Sequence, residues 1–208
     1  MSQIPSIETA DKYVDYLRRE VNRDPGRRSA LRRGLGRPVN DAMVRKSHAV
    51  VARWLPTRAR PAVESAYYSI AALIAAQPAR GRKEPDPEPA DPSAISDSEE
   101  KPKRIQLTIG NTLGLAVQEK KLNPDTIEAR LHLLCRQDIA GLHRQLPGLV
   151  RQLAAKEIAP DWGRLLCDLS WWEHRRDEVT KQWLQDFYRA MNNNTTTTDD
   201  EKSDSEDQ

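Results

Sequence analysis

Apolar residues recur every three or four positions along most of the chain, and the pattern is clearest near the C-terminal end. After Asp161, large apolar side chains stand at positions 162, 165, 166, 169 and 172, and then at 179, 183 and 187. This spacing places them on one face of an α-helix. We therefore predict a helix capped by Asp161, with a buried face formed by Trp162, Leu166, Leu169, Trp172, Trp183 and Phe187.

Seven further segments carry the same helical period. In the first half they are residues 8–21, 26–37, 41–55 and 62–77, with Asn40 as the cap of the third and Pro61 in the first turn of the fourth. In the second half they are residues 111–122, 125–137 and 139–156, and Pro147 predicts a kink or a break in the last of these. No segment alternates apolar and polar residues for long enough to predict a strand, so the expected fold is all-α.

The predicted helices fall into two groups on either side of a proline-rich stretch. Residues 78–103 hold six prolines and many acids but almost nothing apolar, a composition typical of a linker. The tail from residue 192 is of low complexity, and we expect it to be disordered. The prediction is two small helical bundles: an N-terminal domain (1–78), a flexible acidic linker (79–103), a C-terminal domain (104–191) and the tail (192–208).

Charge is strongly segregated along the chain, although the total is only +2. Residues 17–60 carry 13 arginines and lysines against three acids. Residues 84–100 carry seven acids and no base, and residues 199–207 carry six acids and one lysine. With those two acidic segments left out, the rest of the chain has a net charge of +14. A basic body with acidic attachments indicates a polyanionic partner for the body.

The basic residues are the candidate nucleic-acid-binding side chains. On a helix, Arg28 and Arg32 are one turn apart, as are Arg33 and Arg37 if the helix continues that far. Guanidinium groups match phosphate oxygens, and nothing in the pattern predicts base recognition. The full candidate set is Arg27, Arg28, Arg32, Arg33, Arg37, Lys103, Arg104, Arg136 and Arg151, to which Arg130 and Arg144 are added if their helix faces agree. The alternative interpretation is a solvated helix face, or a scaffold that bridges acidic proteins.

Catalytic and metal-binding patterns are weak. His132 and Cys135 share one predicted helix and Cys167 and His174 another, but there is no Cys-x-x-Cys pair, and both cysteines lie in apolar runs. The phosphate-loop, dinucleotide-binding and nucleophile-elbow motifs are missing from the sequence. We expect no enzyme activity, no cofactor and no metal. Two cysteines, the lack of a secretory signal and the lack of a long apolar segment predict a cytoplasmic protein without membrane contact.

Three stretches resemble the CasB family, the small subunits of the type I-E CRISPR surveillance complex, Cascade. They are "ALRRGLGRP" near the start, "TLGLAV" after the linker, and "IAPDWGRLLCDLSWWEHRRDEVTKQWLQDFY" near the end. The resemblance spans residues 10–190, and its closing motif is the most specific part. The acidic linker and the Asn/Thr-rich tail have no counterpart in the family pattern.

The resemblance implies a non-catalytic, two-bundle subunit present in two copies, which contacts the crRNA-bearing backbone subunits and the large subunit. It also implies an antiviral role, in which basic residues stabilise the R-loop by holding the displaced non-target strand and bracing the target strand. Arg32 and Arg33 match the family's early arginine pair, Lys103 and Arg104 a basic stretch, and Arg151 a basic penultimate helix. Leu115 departs from the pattern, which often has arginine there. Trp171 lies off the predicted core face and is a candidate contact for a partner protein.

Overall fold

The computed structural model describes residues 4–78 and 105–192, and in these residues the secondary structure is entirely helical. The prediction of an all-α fold is confirmed. The elements are α1 (Ile7–Arg23), α2 (Pro25–Arg32), a 3₁₀ helix (Ala42–Ser47), α3 (His48–Val51), a second 3₁₀ helix (Ala52–Trp54), α4 (Pro61–Ala76), α5 (Ile109–Gln118), α6 (Pro124–Cys135), α7 (Ile139–Ala154) and α8 (Trp162–Asn192). The predicted linker, residues 79–103, and the predicted tail beyond residue 192 lie outside the described residues.

The segment predicted as one helix over residues 41–55 is different in the structure. It is divided into two 3₁₀ helices with a four-residue α-helix between them. The cap of its first turn is Asp41 rather than Asn40, because Asp41 Oδ1 accepts from the backbone N–H of Met43 at 2.8 Å. Valine lowers helix propensity, and Val44, Val50 and Val51 are all buried here, so tertiary packing decides the local geometry.

The structure differs from the prediction at two other predicted helix boundaries, one near a glycine and one at a proline. Helix α2 ends at Arg32, before Gly34, so Arg33 and Arg37 do not lie one helical turn apart. Of the kink or break predicted at Pro147, the break does not occur, because α7 runs through it from Ile139 to Ala154. A proline in a helix leaves the carbonyl four residues earlier without its partner, and here that carbonyl, of His143, faces the turn at Gly36.

Helix α8 is the longest element and carries the predicted apolar face. Asp161 caps it, since the backbone N–H of Arg164 donates to Asp161 Oδ1 at 3.0 Å. All six residues predicted for the buried face are buried: Trp162, Leu166, Leu169, Trp172, Trp183 and Phe187. At Arg175 the backbone leaves helical geometry (φ −136°, ψ 33°), and its guanidinium lies 4.4 Å from the ring centroid of the half-buried Trp171. A partner contact for Trp171 stays a prediction.

A buried carboxylate joins the two parts of α8 on either side of this bend. Asp168 accepts from Arg164 Nε at 2.9 Å and from the indole N–H of Trp183 at 2.7 Å. Burial raises the pKa of the Asp168 carboxyl, and the Arg164 guanidinium opposes that effect. The acid and the tryptophan are fifteen residues apart, so their hydrogen bond fixes how the second part of the helix lies against the first.

Helices α5 and α8 approach each other closely because α5 presents glycines to α8. A Cβ atom at Gly114 would lie 2.5 Å from the carbonyl oxygen of Phe187 and 2.7 Å from Ala190 Cβ, and one at Gly110 would overlap the carbonyl of Trp183. The start of α5 is fixed by Thr108, whose hydroxyl donates to Asp186 on α8 at 2.8 Å. Backbone contact between the helices therefore requires glycine at these two positions.

The N-terminal helices pack on the same long helix. Gly163 of α8 lies against Asp11 of α1, and the hydroxyl of Tyr13 donates to the carbonyl of Tyr67, which ties α1 to α4 at 2.9 Å. Buried residues of both halves of the chain form one continuous apolar cluster. The domain boundaries at residues 78 and 104 stay a prediction. None of the described helices combines the length and apolar character needed to cross a bilayer.

Replacing Gly114 with alanine should destabilise the protein, and Gly148 on α7 supplies the matched control. A Cβ at Gly114 meets backbone and Ala190, whereas one at the exposed Gly148 meets nothing within 4 Å. We expect G114A to lower the free energy of unfolding by about 1–3 kcal/mol, and G148A to raise it by up to about 1 kcal/mol. Urea unfolding measures both. Equal effects of the two substitutions would contradict the close α5–α8 packing.

Candidate nucleic-acid interface

The turn that follows α2 packs on the middle of α7 and brings the two basic regions of the chain together. Gly36 adopts a positive φ of 69°, and a Cβ there would lie 3.9 Å from the carbonyl oxygen of His143 and 4.0 Å from Arg144 Cα. The left-handed backbone and this close approach both favour glycine. Two segments more than one hundred residues apart in sequence are thereby placed side by side.

A groove of about 290 Å³ lies next to this contact, between α2, the C-terminal end of α4, and α7. Arg32 of α2 and Arg151 of α7 both line it. Its other walls are mostly apolar and come from Leu35, Leu73, Ala76, Pro147, Val150 and Ala154. We call this feature the Arg32–Arg151 groove. It combines two guanidinium groups from different halves of the chain around an apolar floor.

The arginines around the groove have no carboxylate partners among the described residues. Arg32, Arg33, Arg144 and Arg151 are exposed and make no ion pair within residues 4–78 and 105–192. Arg144, Gly148 and Arg151 stand at i, i+4 and i+7 on α7, so they share one exposed face of that helix. The described chain therefore leaves a group of guanidiniums available to an external anion.

Three other predicted arginines are engaged inside the protein. Arg28 caps the end of α4, because its Nε donates to the carbonyl of Ala75 at 3.2 Å and its Nη2 donates to that of Gln77 at 2.5 Å. Arg27 forms ion pairs with the largely buried Glu20 and, at 3.4 Å, with Asp24. Arg37 pairs with Asp41 at 3.0 Å. Of the predicted pair Arg28 and Arg32, Arg28 thus has a structural role and Arg32 stays available to a partner.

The remaining predicted basic residues lie away from the groove or outside the described part of the chain. Arg136 is exposed at the end of α6, next to the first turn of α7. Arg151 lies twelve residues beyond Ile139, which is about 18 Å along a helix. Arg130 lies on α6 and does not line the groove. Lys103 and Arg104 are not among the described residues. Leu115 is half-buried on α5.

Arg144, predicted only on the condition that the helix faces agree, and Lys156, which was not predicted, are two further exposed basic residues of this region. Arg144 joins the groove group because it shares the exposed α7 face with Arg151, and that seven-residue spacing is visible in the sequence. Lys156 is exposed just beyond the end of α7, but nothing in its sequence context distinguishes it from other surface lysines. The sequence around Arg144 and Lys156 does not indicate that α7 lies beside α2. Only the fold shows this.

The four residues considered as zinc ligands take part in separate contacts. His132 Nε2 lies 3.1 Å from the hydroxyl of Tyr188, and Arg60 Nη1 lies 2.9 Å from His174 Nε2. The thiol of Cys167 donates to the carbonyl of Pro5 at 3.5 Å. Burial raises the pKa of the Cys135 thiol to about 11 and that of Cys167 to about 12. Among residues 4–78 and 105–192, no three ligating side chains come together.

Comparison with protein-family models identifies the family of this chain. The family model for CRISPR-associated protein Cse2 matches residues 27–188, which include Arg32 and the whole of α7. The chain belongs to the Cse2 family. The resemblance to CasB small subunits is therefore confirmed. No curated protein sequence matches the chain significantly.

Solved structures support the same assignment. Two chains from structures of a CRISPR RNA-guided surveillance complex, one of them in a pre-nicking state, share 35% and 37% identity with this chain, each at a TM-score of 0.73. The matches cover 90% of this Cse2 chain and 95% and 96% of those chains. The M. ruber CasB crystal structure is 24% identical at a TM-score of 0.65, with 89% and 95% coverage, and it supports the fold alone.

The pH dependence of stability should depend on His143, which is buried behind the groove between α7 and α4. Its Nδ1 lies 2.7 Å from Ser69 Oγ, and its Nε2 is buried without a partner in the described residues. Burial lowers the pKa of His143 to about 4. Between pH 6.5 and 4 the unfolded chain therefore binds a proton that the native state excludes, so stability falls as the pH falls.

We expect this one site to remove about 3 kcal/mol of the free energy of unfolding across that range. Asparagine at position 143 keeps a polar atom near Ser69 but does not titrate. The H143N variant should therefore show a flatter dependence of unfolding free energy on pH, measured by urea titrations from pH 7 to 4. Parallel curves for the two proteins would show that His143 is not the group responsible.

Proposed function

We propose that this protein is a non-catalytic subunit of a CRISPR RNA-guided surveillance complex in antiviral defence, and that it holds nucleic-acid backbone without reading sequence. Membership of the Cse2 family supports the first part, as does the similarity to chains of such complexes over nearly their whole length. The charge of +14 outside the two acidic segments supports the second part.

The observation that carries the proposal is the pairing of Arg32 and Arg151 across one groove, with no carboxylate partner for either in residues 4–78 and 105–192. Each guanidinium presents several N–H donors in a planar fork that suits phosphate oxygens. Two such groups from different helices of one groove are suited to the phosphates of a strand that crosses it. Arg33 and Arg144 extend the positive surface on either side.

Sequence-independent binding follows from which groups line the groove. Base recognition needs side chains such as asparagine, glutamine or arginine placed against base edges. The groove contains one amide, Gln77, and its Nε2 donates to the carbonyl of Leu73 at 3.2 Å. Guanidinium groups also match phosphate oxygens, and we assign the two arginines to the backbone and the apolar lining to the sugars or base faces of a single strand.

Within the assembly, we propose that the protein stabilises the R-loop by contacting the displaced non-target strand and the target strand. The crRNA, the backbone subunits, the large subunit and a second copy of this chain are its proposed neighbours. The competing function is a scaffold whose basic face meets acidic protein surfaces, since guanidinium groups bind carboxylates as well as phosphates. Salt dependence and nucleic-acid affinity distinguish the two functions.

Binding to nucleic acid should depend steeply on salt and should depend on the groove. We expect the purified protein to bind single-stranded and duplex DNA and RNA of unrelated sequence with similar affinity. The logarithm of the binding constant should fall linearly with the logarithm of salt concentration. For single strands, the R32A/R151A variant should lower the magnitude of that slope by about 1.4, which corresponds to two lost phosphate contacts. Fluorescence anisotropy at several salt concentrations measures this.

The R19A/R130A variant is the control, since it removes the same charge from two exposed arginines that do not line the groove. Both variants should unfold within about 0.5 kcal/mol of the unmodified protein. An unchanged slope for R32A/R151A would refute the groove as the binding surface. An absence of nucleic-acid binding, together with a loss of partner-subunit binding in R32A/R151A alone, would favour the protein-bridging scaffold.

A further inference from the structure

We propose that the chain's own acidic segment, residues 84–100, docks in the Arg32–Arg151 groove and competes with nucleic acid for it. The proposal rests on the function proposed above and adds its regulation. Three observations support it: the place where the chain leaves α4, the length of chain available, and the complementarity of charge. Each is independent of the membership of the Cse2 family.

The chain leaves α4 at the rim of the groove, and Arg28 fixes that exit. Its two hydrogen bonds to the carbonyls of Ala75 and Gln77 hold the last turn of the helix. Gln77 then turns to extended backbone (φ −60°, ψ 147°), and Pro78 is itself one of the residues that line the groove. Pro78, the last residue described before the segment, therefore lines the same groove as Arg32 and Arg151.

The acids begin close enough to reach both arginines. Glu84 follows Pro78 by six residues, which span at most about 20 Å when fully extended. The groove follows α7 from Pro147 to Ala155, about 12 Å along the helix axis. Seventeen residues, 84–100, are thus within reach of the groove, and the first four acids of the segment occur within eight residues, at positions 84, 86, 88 and 91.

Charge complementarity favours this occupant over other parts of the chain. The segment holds seven acids and no base, and the groove arginines have no ion-pair partner among the described residues. Each exposed carboxylate–guanidinium pair contributes little alone, about 0–1 kcal/mol. Tethering raises the effective concentration of the segment to about the millimolar range, so several weak pairs together are sufficient for partial occupancy. A longer polyanion displaces them.

As a consequence, nucleic acid binds the groove only when its contacts are strong enough to displace the segment. Short or isolated phosphate contacts must displace the tethered acids, whereas a strand held along the whole basic surface does so easily. The segment therefore lowers non-specific binding more than it lowers binding inside an assembled complex. This difference raises specificity, because the segment competes with weakly held nucleic acid.

The first test changes the acids to amides and measures affinity for single-stranded DNA by anisotropy. One variant carries Glu84→Gln, Asp86→Asn, Glu88→Gln, Asp91→Asn, Asp97→Asn and Glu99→Gln. The matched control carries the same charge change in the tail, at Asp199, Asp200, Glu201, Asp204, Glu206 and Asp207. We expect the segment variant to bind about three- to tenfold more tightly than the tail variant at low salt, and the difference to vanish at high salt.

The second test detects the docked segment without nucleic acid. A spin label on an Ala90→Cys variant of the full chain should broaden the backbone amide signals of Leu35, Ala76 and Ala154, and the R32A/R151A substitutions should remove the effect. Labelling at neutral pH selects the new cysteine, because burial holds the pKa of Cys135 at about 11 and that of Cys167 at about 12. A spin label on a Ser203→Cys variant in the tail is the control.

The outcomes separate this inference from the proposed function. Broadening at the groove without nucleic-acid binding by any variant would support the docking and overturn the proposed function. Tight, salt-dependent binding with no broadening and equal affinities for the two amide variants would do the reverse. Broadening only between a labelled and an isotope-enriched copy would show that the segment of a second molecule occupies the groove, which overturns the intramolecular form proposed here.

Discussion

The packing of one long helix against both halves of the chain is the constraint on which the rest of the structure depends. Near its start, α8 lies against α1 through Gly163, and beyond the bend at Arg175 it lies against α5 through the backbone opposite Gly110 and Gly114. The hydrogen bond from Trp183 to Asp168 fixes the relation between these two parts. Because α8 packs against both halves of the chain, α7 is held in contact with α2 and α4. The groove depends on that placement.

The arginines of α2 show how tertiary structure divides a uniform sequence feature. Arg28 and Arg32 are four residues apart on one helix, yet Arg28 binds carbonyls at the end of α4 and Arg32 lines the groove. A cation at a helix C-terminus is stabilised by the helix dipole as well as by its hydrogen bonds. Arg28 is thus satisfied by the protein, and the order it gives the end of α4 shapes the wall that Arg32 faces.

Much of the fold was predictable because it follows from local periodicity, whereas the site was not. The apolar face of α8, its cap at Asp161 and the proline at the start of α4 are read from neighbouring residues. Arg32 and Arg151 are 119 positions apart, and no period in the sequence relates them. The same limit explains the mistaken continuous helix over residues 41–55 and the mistaken break at Pro147. Buried valines decide the first against propensity, and α7 accommodates Pro147 with its freed His143 carbonyl facing the Gly36 turn.

The position of the groove gives a physical reason for the near-neutral total charge of the chain. Acids on the body pair with particular arginines: Glu20 with Arg27, and Asp41 with Arg37. Glu20 is buried, so its pair with Arg27 is fixed by the fold. The exposed Arg37–Asp41 pair is weaker. On the proposal that segment 84–100 competes for the groove, its acids lower the net charge equally but withdraw no arginine permanently, because a denser polyanion displaces them. A basic body whose net charge of +14 is offset by the acidic segments 84–100 and 199–207 therefore limits non-specific attraction, and on this proposal Arg32 and Arg151 stay available for exchange.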